Sequence, residues 1–204
     1  MKDLVIVPLN KKQVFQAGKY CQDHSNRLPS SITEQLRITE QLPGDESIMA
    51  ISVSQCAWLM SFAQVLRPHR VLELGAFTGI SSLALHEATK HTNTEIVTID
   101  LSEKYLKIDE DAFRRQGATD RIRAIKGNCL EVLHRLEGQF DLIYLLSPRG
   151  ALIVHDKIFP EEIQEPYLAI ADNTNRFNRF VSSDPRITAT LIPAFSGVTQ
   201  IMWK

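Results

Sequence analysis

Arg70-Val71-Leu72-Glu73-Leu74-Gly75-Ala76-Phe77-Thr78-Gly79-Ile80-Ser81-Ser82-Leu83-Ala84-Leu85 reads as a strand, a tight turn and a helix. Val71 to Leu74 is short and apolar, as in a strand covered on both faces. Gly75 and Gly79 fall where the backbone turns sharply and where a ligand can approach it closely. Helix-forming residues follow from Ser81. Such a loop puts the N–H groups of a helix N-terminus at the carboxyl end of a strand, where anions and nucleotides bind. The spacing Gly-x-x-x-Gly is not the dinucleotide pattern Gly-x-Gly-x-x-Gly, and it lacks the Lys-Ser/Thr of a phosphate-binding loop. Alone, it fits any strand-to-helix turn of an α/β protein.

The next strand sharpens the reading. Glu95-Ile96-Val97-Thr98-Ile99-Asp100 ends in a carboxylate roughly 20 residues after the glycine loop, the distance at which an acidic side chain accepts from ribose hydroxyls. A carboxylate ending a buried strand is costly unless paired, and a ribose diol suits it. The bland role for Asp100 is a cap for the helix that starts at Ser102; ribose is the favoured one. Glu73, inside the first strand, faces either the ligand or the N–H groups of the loop.

Val-Leu-Glu-Leu-Gly-Ala-Phe-Thr-Gly-Ile-Ser-Ser-Leu-Ala-Leu followed by Val-Thr-Ile-Asp resembles the small O-methyltransferases of the catechol and caffeoyl-CoA type. The likeness takes in Met49-Ala50-Ile51-Ser52, Phe140-Asp141-Leu142-Ile143-Tyr144, Leu146-Ser147-Pro148-Arg149-Gly150 and Asp184-Pro185-Arg186, from about residue 19 to the end. The resemblance implies S-adenosylmethionine (SAM) as cofactor, usually with a divalent metal. It also implies N-terminal helices that lie over the cofactor and help form a homodimer.

Composition sets the outer limits. A length of 204 residues suits one domain, residues 1–204, with an N-terminal arm and helices over 1–48. The chain is 44% hydrophobic and 23% charged, ordinary for a globular protein, and its net charge of −1 gives no bulk attraction to nucleic acid or membrane. Cys21, Cys56 and Cys129 are odd in number and widely spaced, which argues for a reducing compartment, and the expected location is cytoplasmic. The apolar run Leu4-Val5-Ile6-Val7 is too short for a signal segment or a span.

In chain order, residues 1–12 read as an arm or edge strand. Helices are expected over 13–24, 30–41 (with Ser30 or Ser31 as cap and Glu34 near the capping-box position), 52–66, 81–90, 103–116, 130–136 and most of 163–182. Strands are expected at 71–74, 95–100, near 120–125, 140–145 and 151–154, with a closing antiparallel hairpin of 187–192 and 198–203. This is an α/β, Rossmann-like, doubly wound and mostly parallel sheet with N-terminal helices.

One place breaks the pattern. Only six residues, 145–150, separate the strand ending at Tyr144 from the one starting at Ala151, and a parallel crossover needs a dozen or more. The family carries Asp-x-Asp-Lys and a Tyr-rich helix here, supplying a metal ligand and a general base. It also places Asp-Asn at the end of the next strand as metal ligands. This chain has His155-Asp156-Lys157 instead. One carboxylate is a poor start for an octahedral oxygen site, and the Lys157 ammonium repels a cation, so no bound metal is expected. Asp156 and Lys157 are the candidate catalytic pair, with Lys157 standing in for the metal beside a substrate oxygen. Against this stands a decayed site with Lys157 in solvent. His155 is a possible base by its pKa, but strand alternation turns it away from Asp156.

The remaining cofactor candidates each have a structural alternative. Ser81 either holds the amino-acid carboxylate of SAM or caps its helix. Met49 either touches the cofactor or fills the core. Phe77 is a cofactor candidate for which a core role is favoured, Trp58 is read as core, and Tyr144 is ambiguous. Asn128 and Cys129 lie where an adenine edge would be read. Three functions compete: a SAM-dependent O-methyltransferase for a small hydroxylated aromatic molecule, a methyltransferase-like protein that has lost metal-dependent methyl transfer and binds SAM structurally or catalyses another small-molecule reaction, and a non-catalytic scaffold. The glycine loop and Asp100 favour the first two.

Overall fold

The computed structural model describes residues 11–145, 176–192 and 198–203. Residues 1–10 of the expected arm over 1–12, the link after Leu145, the strand at 151–154, the first part of the helix over 163–182, and Asp156 and Lys157 lie outside the described residues, while Lys11 and Lys12 of that arm already belong to the first helix.

Three helices precede the sheet: α1 Lys11–Asp23, α2 Ser30–Glu40 and α3 Val53–Leu66, with a 3₁₀ turn, Glu46–Met49, before α3. The sheet strands are β1 Arg70–Leu74, β2 Glu95–Asp100, β3 Ile122–Lys126 and β4 Leu142–Leu145. Between them run α4 Ile80–Ala88, α5 Glu103–Arg115 and the short α6 Cys129–Leu133. Residues 176–183 are helical, and β5 Ile187–Ile192 and β6 Val198–Trp203 follow.

The four strands β1–β4 are all parallel and lie in the order β3-β2-β1-β4. The order reverses beside β1, so the crevice at the carboxyl ends of β1 and its neighbours is the place where such sheets bind ligands. β5 and β6 pair antiparallel, as expected of the hairpin, and among the described residues they form a sheet of their own. The fold class is as the sequence predicts.

The core forms because α3 and α4 are apolar where they meet. Cys56, Leu59 and Ala63 of α3 are buried, and so is almost every residue of α4. Ser52 caps α3 by accepting from the Gln55 N–H, and Arg67 ends it in the left-handed region ahead of Pro68. Glu46–Leu66 is long and apolar enough, by length and composition, to cross a membrane. In the fold it is two elements, a 3₁₀ turn and a capped helix whose inner face joins the core.

Two local expectations are corrected. The capping box of α2 does not form: Pro29 is the N-cap, no side chain caps it, and Thr33 bonds Ser30 instead. α4 begins at Ile80, not Ser81, because Gly79 in the left-handed region takes the cap position and feeds the helix one residue earlier. At the other end of the sheet, Arg70 bonds Glu95 and the carbonyls of Glu137 and Gln139, and lies over the Phe140 ring. That cluster ties β1, β2 and the approach to β4 together far from the crevice.

Candidate functional site

The glycine loop turns through three left-handed residues: Gly75 at φ 92, Phe77 at φ 53 and Gly79 at φ 74. Phe77 is the exception among them, since a side chain in this region is strained unless its surroundings hold it. They do. Its ring is buried and packs edge-on against Tyr105 at 4.6 Å, so the core role weighed for Phe77 is present. Its N–H donates to Asp100 Oδ2 at 2.8 Å. Gly75 N–H donates to the Ile99 carbonyl and Gly79 N–H to that of Ala76.

Asp100 therefore has two structural partners. Oδ1 accepts from the Ser102 N–H at 2.8 Å, a turn contact ahead of the helix whose N-cap is Ser102 and not Asp100 as weighed against ribose binding, and Oδ2 holds the loop. Each oxygen keeps a second lone pair, and the side chain is half-buried at the strand end. Structural and ribose-binding roles are thus compatible.

Glu73 does not bond the loop's N–H groups among the bonds observed. It is fully buried, and its Oε2 accepts from the hydroxyls of Ser82 and Thr98, the latter at 2.6 Å. Burial raises its pKa, opposed by the hydroxyls of Ser81, Ser82 and Thr98. Ser81 is buried beside Glu73 in the first turn of α4 and is not its cap. Ser82 and Thr98 were not singled out by the sequence; both stand where a hydroxyl on a buried face signals a polar partner.

Asn128 caps α6, accepting from the Leu130 N–H at 3.0 Å, and Cys129 opens that helix half-buried, its thiol raised by burial and by Asp100. Met49 ends the 3₁₀ turn, half-buried. The next two residues, Ala50 and Ile51, lie against Ala76, Phe77, Thr78, Ile80 and Ser81 with no room for a water molecule between them. This side of the loop is closed packing rather than a ligand pocket. Glu46 of the same turn bonds Lys104 at 2.6 and 2.7 Å and holds it against the start of α5. Tyr144 points inward, accepting from Gln55 at 3.2 Å, and Trp58 packs on the core and stacks on Phe62.

Behind the loop sits a carboxyl that the sequence reading passed over. Asp109 lies on the buried face of α5 with Leu106, Ala112 and Phe113, and among the described residues neither of its oxygens has a hydrogen-bond partner. Burial, then the charges of Glu73 and Asp100, pushes its pKa up to about 9. The same face closes on Gly79. A Cβ there would stand 2.9 Å from Phe113 Cε1 and 3.3 Å from Asp109 Cβ. Gly79→Ala is expected to lower stability by about 1–2 kcal/mol from the left-handed backbone alone, with the clash added. Urea unfolding measures it; a parent-like midpoint would mean that the loop takes another shape.

Among the described residues, no group of three or more His, Cys, Asp or Glu side chains is arranged to hold a metal ion. The loop and Asp100 together fit a nucleoside: an acceptor at the strand end, and a glycine in the left-handed region at Gly75.

Comparison with known proteins bears on this geometry. A family model described as O-methyltransferase matches residues 22–149. O-methyltransferase hkm8 of Aspergillus hancockii is 46% identical, with 100% of both chains covered. That alignment runs over 252 positions against 204 residues here, so the relative carries internal residues without a counterpart in this chain. The structure of the methyltransferase PaMTH1 of Podospora anserina, bound to S-adenosylhomocysteine (SAH), superposes with a TM-score of 0.87 at 28% identity, covering 98% of each chain. An O-methyltransferase from Bacillus cereus in complex with SAH gives 0.74 at 20% identity, covering 93% of this chain and 97% of that one, and shares the fold.

Proposed function

We propose, for a chain that belongs to the SAM-dependent O-methyltransferase family, that its substrate is a small hydroxylated aromatic molecule and that no divalent metal takes part. The observation that carries the reading is the clamped glycine loop at the carboxyl end of β1, with Asp100 beside it at the end of β2. SAM supplies a methyl group on a sulfonium, which a hydroxyl oxygen attacks in line as the carbon–sulfur bond breaks. The work left to the protein is positioning and removal of the hydroxyl proton.

Each residue has a part in that work. Asp100 accepts from the ribose hydroxyls, and Gly75 gives the backbone room to approach. Met49, at the end of the 3₁₀ turn that leads to the loop's neighbours Ala50 and Ile51, is the cofactor contact from that side. Asn128 and Cys129 lie at the carboxyl side of β3, where the adenine edge is read. Asp156 and Lys157 are the pair proposed for the substrate oxygen: the ammonium takes the orienting role that a cation has in relatives with a full ligand set, and the carboxylate is the nearest acceptor in sequence for the proton.

The metal-free part rests on chemistry. The Asp-x-Asp-Lys of the resembling family is absent after Tyr144, and Lys157 follows the one matching carboxylate. A hard cation needs several oxygen ligands, and a neighbouring ammonium opposes it.

Calorimetric titration with SAM, in the presence and absence of Mg²⁺, tests both parts. Binding with the same affinity in the two conditions is the expected result. Absence of SAM binding would overturn the cofactor site, and affinity that depends on Mg²⁺ would overturn the metal-free reading. Transfer of a labelled methyl group to catechols and simple phenols then tests the substrate class.

A further inference from the structure

We propose that Gln35 and Thr39 of α2 are positioning residues that hold the glycine loop in its cofactor-binding shape through Thr78. The proposal rests on the cofactor site described above and adds the device that keeps it formed. All three side chains are buried, at 1%, 1% and 0% exposure. Gln35 Nε2 donates to the Thr78 carbonyl at 2.6 Å. Its amide cannot turn round, because Arg115 Nη2 donates to Oε1 at 2.9 Å. Thr39 Oγ1 donates to the Gln35 carbonyl at 2.8 Å and lies 2.8 Å from Thr78 Oγ1. A hydroxyl has one proton, so the Thr78 hydroxyl is the donor in the second bond.

Thr78 stands between two left-handed residues, Phe77 and Gly79. Asp100 grips the loop through the Phe77 N–H, and α2 grips the next residue through its carbonyl and hydroxyl. A strained turn persists only where its surroundings over-determine it. Without the second grip the loop can relax, and the cofactor must then spend binding energy ordering it. α2 does not depend on this tie for its own place. Ile32 is fully buried in the core, and Ser31 bonds Glu87 of α4 at 2.7 Å. Loosening the loop therefore need not detach the helix.

Four variants separate positioning from bulk stability. Thr39→Val removes the hydroxyl at nearly constant volume, and Thr39→Ser keeps it. Gln35→Leu removes both amide bonds. Gln35→Glu keeps the contact to Arg115 but loses the donor to the Thr78 carbonyl. SAH affinity is measured by calorimetry, and hydrogen exchange of the segment 75–82 is followed by mass spectrometry in the unliganded full chain. Thr39→Val, Gln35→Leu and Gln35→Glu are expected to weaken SAH binding about tenfold, the size of one buried hydrogen bond lost. They should also speed exchange in the loop, while Thr39→Ser matches the parent in both. Parent-like affinity in the three variants overturns the proposal, and so does weakened affinity with unchanged exchange. If the parent itself binds no SAH, the functional reading fails, and loop exchange alone decides the tie: unchanged exchange in the variants refutes it.

Discussion

Asp100→Ala is expected to weaken SAH binding by about 1–3 kcal/mol, the cost of losing hydrogen bonds to a charged acceptor. Two losses combine. The ribose hydroxyls lose their acceptor, and the Phe77 N–H loses the partner that holds a left-handed residue in place. They can be told apart with an SAH analogue lacking the ribose hydroxyls. If Asp100 meets the ribose, the analogue binds the parent more weakly than SAH does and is less sensitive to the substitution. If Asp100 only holds the loop, both ligands lose the same amount. Equal SAH affinity in parent and variant would remove Asp100 from the site altogether. The Ser102 N–H, also bonded to Asp100, starts α5, so a modest fall in melting temperature accompanies the change.

The parallel sheet was legible because each of its signals is local. Val71, Leu72, Ile96, Val97 and Ile99 belong to short, mostly apolar runs bounded by turn residues, and their burial follows from pattern alone. The position of Asp100 is local too, since a strand end and a glycine loop fix it within a few residues. What escaped was non-local or opposite in sign. Gln35 and Thr39 are ordinary polar residues of an amphipathic helix until the fold brings Thr78 to them, some forty positions along the chain. The phase of α4 hung on whether Gly79 lies inside or before the helix, and that set the hydroxyls of Ser81 and Ser82 beside Glu73. Asp109 reads as solvent-facing, because a carboxylate is among the last residues to be buried. Its neighbours Leu106, Ala112 and Phe113 mark the inner face of α5, and a helical wheel puts Asp109 among them. That geometric signal was present and lost to the residue's charge.

Asp109→Asn is expected to flatten the dependence of stability on pH. In the folded chain the Asp109 carboxyl keeps its proton until about pH 9, whereas its ordinary value is 3.8. Between those two values the unfolded chain has released the proton and the folded chain has not. The folded state then binds more protons, so the parent loses stability as pH rises through this window. From pH 5 to pH 8 the loss attributable to this one group is on the order of a few kcal/mol. Asparagine has the same shape and no charge to release, so this slope vanishes and the variant overtakes the parent towards the alkaline side. Glu73, also buried and raised, contributes a slope of the same sign to both proteins and cancels in the comparison. Urea unfolding at pH 5, 6.5 and 8 reads the difference directly. Parallel profiles for parent and variant would mean that Asp109 is ionised with a partner in the folded chain. The consequence reaches the loop, because Asp109 packs under Gly79 beside Phe113. Once ionised, the carboxylate must find water or a cation, and reaching either means lifting α5 from the loop. SAH affinity of the parent should therefore fall above about pH 9, the value at which Asp109 ionises. The variant should keep its affinity there.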